Sequence, residues 1–154
     1  MSLLISLDDG YSISKSLKKR LEELITLIFS EEKIDEGVIN LRILGDQEMQ
    51  KLNLQFRNKD KTTNVLSFTN DDISLAHTKN IGDIAISMDY VINEAKEEGK
   101  DFDSHMIHML AHGIYHVLGH DHENELMADS MEAKEIEILS KLNIKNPYLS
   151  LIHI

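Results

Sequence analysis

Short apolar runs in the first half of the chain, helical periodicity in the second, and a histidine series at helical spacing predict a single α+β domain. The expected architecture is a mixed sheet of about four strands covered by helices, with a metal site on the central helix of the C-terminal half. Leu3 to Leu7 reads as the first strand. Ser12 or Ser14 then caps a helix whose apolar positions are Leu17, Leu21, Leu24, Ile25 and Ile28. Gly37 opens a second strand, Val38 to Leu44, and Asp46 is expected to cap a helix carrying Met49, Leu52 and Phe56 on one side. Arg57 to Thr63 reads as a polar loop, Val65 to Phe68 as a short strand, Asn70 to Asn80 as a loop, and Ile81 to Met88 as another strand. The rest is helical: 89–98 ending at Gly99, 102–118 ending at Gly119, and 125–142, with Pro147 closing the structured part. The pattern leaves strand order open.

The 154 residues make one domain spanning 1–154, with 42% apolar and 28% charged residues and a mean hydropathy of −0.26. No apolar run approaches the ~20 residues that a bilayer core requires, and the first residues, Met-Ser-Leu-Leu-Ile-Ser-Leu, lack the cationic start of an export signal. No membrane partner is expected, and the expected location is the cytoplasm. With no cysteine, a transition metal must be held by imidazole and carboxylate. Sixteen basic against 27 acidic side chains give −11, which argues against nucleic-acid binding through global positive charge and leaves room only for a local basic patch.

Six of the eight histidines fall between positions 105 and 122. On a helix, His105, His108, His112 and His116 form one narrow stripe facing one place. His112 and His116, one turn apart, can reach a single ion from the same side. Gly119 can take the left-handed conformation that stops a helix, so the chain can turn back and present a third ligand from His120-Asp121-His122. His122 has the length of turn needed, whereas His120 is expected to point along the cleft. Three neutral imidazoles leave an ion its full charge and an open position, the arrangement of catalytic zinc. His105 and His108 are expected to support the site, touch substrate or simply pack. His77 and His153 have no supporting context. Zinc peptidases of the His-Glu-x-x-His type place a glutamate base after the first ligand, where this chain has Gly113.

The stretch His112-Gly-Ile-Tyr-His116-Val-Leu-Gly-His120-Asp-His122 closely resembles the His-Gly-x-x-His-x-x-Gly-x-Asp-His signature of the YbeY-type endoribonucleases, bacterial proteins of ribosomal RNA maturation. Leu52-Asn53, Arg57, Asp60 and Thr63-Asn64-Val65-Leu66-Ser67-Phe68 resemble a second block of that family, and Gly82-Asp83-Ile84 and Asn146-Pro147-Tyr148 match in kind. Asn64 stands where the family usually has Asp, Thr62 and Thr69 where prolines are common, and His120 where a tyrosine is usual. The resemblance implies one Zn2+ per chain, with Ni2+ an alternative, held by His112, His116 and His122, and Arg57 as the catalytic cation lining the same cleft. It also implies single-stranded RNA, in particular ribosomal RNA, as substrate, and a ribosome or ribosome-associated protein as partner.

Arg57 would clamp the scissile phosphate with its planar fork. In the basic run Lys51, Arg57, Lys59 and Lys61, Lys59 and Lys61 are the candidates for contact with the RNA backbone. Glu94, Glu97 and Glu98, and the six acids between Glu123 and Glu137, read as solvated helix faces turned away from RNA. Two other functions compete with the hydrolase: a noncatalytic metal-binding ribosome assembly factor and a zinc metallopeptidase.

Overall fold

The computed structural model describes residues 2–69, 80–120 and 124–149. Its strands are β1 (Ser2–Leu7), β2 (Val38–Leu44), β3 (Val65–Thr69) and β4 (Asn80–Ser87). Its helices are α1 (Lys15–Glu31), α2 (Asp46–Arg57), α3 (Met88–Glu98), α4 (Phe102–Val117) and α5 (Glu125–Lys141). The strands form one mixed sheet in the order β1-β2-β4-β3, parallel from β1 through β2 to β4, with β3 antiparallel on the far edge. The α+β class, four strands and covering helices match the expectation.

Alternation along the strands divides the interior in two. Ile39, Leu41 and Ile43 of β2, with Ile84 and Ile86 of β4, enter the main core beneath α1, α4 and α5. Leu44, Leu66 and Ala85 point the other way and meet Met49 of α2 in a smaller core. Of the helices, α4 lies deepest, with eleven of its sixteen residues buried, and it rests on β3 and β4. Gly113 makes that seating possible. A Cβ there would meet the Ile84 side chain at 3.1 Å and Val65 at 3.4 Å.

Caps explain most boundaries. Ser14, Ser87, Asp101 and Asn124 each accept a backbone N–H of the first turn of α1, α3, α4 and α5. The cap of α2 departs from expectation, because Gly45 occupies the N-cap position and offers no side chain. Asp46 instead accepts hydroxyl bonds from Thr62 at 2.9 Å and Ser87 at 2.7 Å, so its carboxylate ties the loop before β3 to the end of β4. Past α4, Gly119 has φ +97°, and the chain turns there as a left-handed glycine allows. Among the described residues no helix is long and apolar enough to cross a membrane.

Candidate functional site

The end of α4 and the edge strand β3 frame a cavity of about 360 Å3 lined by Arg57, Lys59, Lys61, Ser67, His112 and His116. His112 places Nδ1 2.9 Å from Oε2 of Glu135, and His116 places Nδ1 3.1 Å from Oγ of Ser67. A carboxylate only accepts, so Nδ1 of His112 donates and its Nε2 carries the lone pair, a tautomer assigned from the partner's chemistry. If Nδ1 of His116 donates to Ser67, His116 has the same tautomer. Fixing an imidazole through one nitrogen so that the other can bind an ion is the usual outer support of a metal ligand.

Arg57 sits at the C-terminal end of α2, where Asn58 turns left-handed at φ 58°. Its Nη2 donates to the backbone oxygen of Ser67 at 2.8 Å, and its guanidinium lies 4.9 Å from the centroid of the Phe68 ring. Phe56 meets Phe68 edge-on at 5.2 Å. Asn53, almost fully buried, donates to the backbone oxygen of Lys61 at 2.8 Å and so fixes the loop that carries both lysines. Lys51, by contrast, pairs with Glu48 at 3.1 Å and does not line the cavity.

Glu135 is the residue that sequence reasoning missed. Read as part of a solvated acidic helix face, it is completely buried. It accepts from His112, from Nε2 of His108 at 2.7 Å and from the Tyr148 hydroxyl at 2.5 Å. Burial pushes its carboxyl up, but these three donors outweigh burial and hold the group at about 2, charged at neutral pH. The signal that could have found it is positional. Met131, Glu135, Ile138 and Leu139 follow the i, i+4, i+7, i+8 spacing of a buried stripe, and a carboxylate in such a stripe needs donors.

The histidine stripe does not face one place. His105 and His108 are 3% and 5% exposed and line a separate cavity, where His105 bonds Glu94 at 2.7 Å and His108 bonds Glu135. Burial pushes the His108 imidazole down, only partly offset by Glu135, so its neutral form is favoured. Glu94 thereby departs from the solvated face expected of it. Asn64 donates to Glu94 at 3.2 Å and lines both cavities. His120 turns away from the cleft and bonds Glu32 at the end of α1 at 2.7 Å. His122 lies outside the described residues, as do His77, His153 and the loop residues Asn70 to Lys79.

Among the described residues, no group of three histidine, aspartate or glutamate side chains could hold a metal ion. Two imidazoles meet at the cavity, each anchored through Nδ1, and the chain has no thiol. That donor chemistry fits an ion that favours nitrogen ligands, with His112 and His116 supplying two of them.

Residues 5–143 match the family model described as Endoribonuclease YbeY. The chain belongs to this family. It is 36% identical to the Endoribonuclease YbeY of Francisella philomiragia over 97% of this chain and 96% of that protein. It is 50% identical to the one from a Chelativorans species, over 73% and 71% of the two chains. The solution structure of TM1509 from Thermotoga maritima superposes with a TM-score of 0.62 at 25% identity, covering 92% of this chain and 91% of that one. The family found by comparison is the one that the His112–His122 signature resembles.

Proposed function

We propose that this protein is a zinc-dependent endoribonuclease that cuts single-stranded RNA, acting in ribosomal RNA processing and ribosome maturation. The observation that carries this reading is the convergence of His112, His116 and Arg57 on one cavity, with both imidazoles anchored through Nδ1. The relatives named Endoribonuclease YbeY support it. His112, His116 and His122 would hold one Zn2+, with Ni2+ the alternative that imidazoles also favour. Such an ion supplies charge against a phosphoryl oxygen and lowers the pKa of water toward ~7.

The chain's own groups do the rest. Arg57 is held by Ser67 and Phe68 without a carboxylate partner among the described residues. Its positive charge is therefore available to the nonbridging oxygens of a phosphodiester. Lys59 and Lys61, on the loop pinned by Asn53, extend that charge along a backbone track. Glu135 holds His112 in the tautomer that a ligand requires. A peptidase is disfavoured, because Gly113 abuts Ile84 at the position where a peptidase carries its base. The −11 charge makes free RNA a weak ligand, so recruitment to a ribosome or a ribosome-associated protein in the cytoplasm completes the reading.

The test is cleavage of single-stranded RNA by the purified chain at defined metal content, beside His116→Ala, Arg57→Ala and a duplex control. Cutting of single strands with one ion per chain, lost in both variants while Arg57→Ala keeps its ion, is the expected result. Activity that survives His116→Ala without metal would overturn it. A metal-loaded protein that never cuts RNA but needs its ion to bind ribosomes would instead be an assembly factor.

A further inference from the structure

On the other side of Asn64 lies a larger cavity, of about 760 Å3, lined by Glu94, Glu97, His105, His108 and Tyr148. The proposed hydrolysis makes no use of it. Its lining also includes Lys96 and Lys100, and the acceptor nearest the imidazoles is the Glu94 carboxylate. His105 and His108 each face a carboxylate through Nε2, which must then donate. Both Nδ1 atoms are buried and have no hydrogen-bond partner among the described residues. Orphaned buried polar atoms call for an explanation. Glu94 adds a carboxylate whose bonds to His105 and Asn64 both fall on Oε1.

The remaining wall is aromatic and fixed. Tyr148 is 42% exposed, yet its hydroxyl is held by Glu135 and its ring meets His108 edge-on at 5.3 Å. A tyrosine held in this way offers a stacking surface at little entropic cost. Lys100 in the lining is paired with Glu98 at 2.7 Å, so Glu94 and Glu97 stand against Lys96 alone, and the ligand's neutral part enters.

We propose that this cavity is a subsite for a nucleobase bearing an exocyclic amine, adenine, cytosine or guanine, next in the strand to the phosphate held between Arg57 and His116. The base stacks on Tyr148 and gives its amine to Glu94. Uracil has no exocyclic amine and carries carbonyl acceptors in its place. The inference rests on the nuclease reading, because Asn64 joins the two cavities and a strand bound in one passes the other.

Two measurements test it. The full chain is titrated with adenosine, cytidine, guanosine and uridine while the imidazole signals of His105 and His108 are followed by NMR. Cleavage is then compared on single strands that differ only at the nucleotide beside the scissile bond. Adenosine, cytidine and guanosine should bind about tenfold or more tightly than uridine, as one well-placed base contact provides, and Glu94→Gln should erase the difference. Should Glu94→Gln not fold, the wild-type nucleoside series decides by itself. Equal binding of all four, or none, overturns the subsite, and uniform cleavage beside it leaves the nuclease reading standing. Base preference in binding with no RNA cut by any preparation keeps the subsite and removes that reading.

Discussion

On one helix, His112 and His116 face a cavity with Arg57, Lys59 and Lys61, while His105 and His108 face one walled by Glu94 and Glu97. The residue type and the helical spacing are the same, and the surroundings differ. The buried pair turns Nε2 to carboxylates, whereas the partly exposed pair, supported from outside through Nδ1, can turn Nε2 to an ion. The role of a histidine is thus assigned by what the neighbouring strand and helix bring to it.

Removing a member of the cationic half should break the contrast most sharply. His116→Ala should lose its ion by elemental analysis and reduce cleavage to background. Arg57→Ala should keep the ion and lower the cleavage rate about 10²- to 10³-fold, the usual effect of deleting one charge-stabilising donor. Between the two halves stands Glu135, and Glu135→Gln should weaken metal affinity about 10- to 100-fold in a competition titration, as loss of an outer-shell partner does. Lys61→Ala should lower the salt slope of single-strand binding by about one, with little effect on the ion.

The smallest effect concerns the acid limb of stability. Glu32 is held below the ordinary glutamate value because His120 and Lys134 together outweigh the effect of burial. A carboxyl lowered in the folded state contributes stability above its unfolded value of 4.5, and that stability is lost as pH falls through the folded one. Glu32→Gln should therefore flatten the fall of the melting temperature below that pH while leaving cleavage unchanged.

Much of this was legible in the chain. The strands and helices stood close to where alternation, helical period, a cap at Ser14 and stops at Gly99 and Gly119 indicated, and His112, His116 and Arg57 were chosen from spacing and motif. Strand order was not legible, because β2 pairs with β4 through contacts far apart in sequence. The division of the histidine stripe was equally hidden. It depends on Glu94 and Glu135, charged residues on helices rich in acid, and only tertiary packing separates them from solvated neighbours. His120 was misplaced for the same reason, since its partner Glu32 lies 88 positions away.

One rung of the sheet has a larger part than its size suggests. Ser67 pairs with Ile84 across β3 and β4, meets Nδ1 of His116 with its hydroxyl and accepts from Arg57 with its carbonyl, while Ile84 abuts Gly113. A slip of β3 by a single residue would turn Ser67 to the opposite face and part the arginine from the histidine at one stroke. The two halves of the proposed chemistry are therefore indexed to each other like teeth on a ratchet, in register together or not at all.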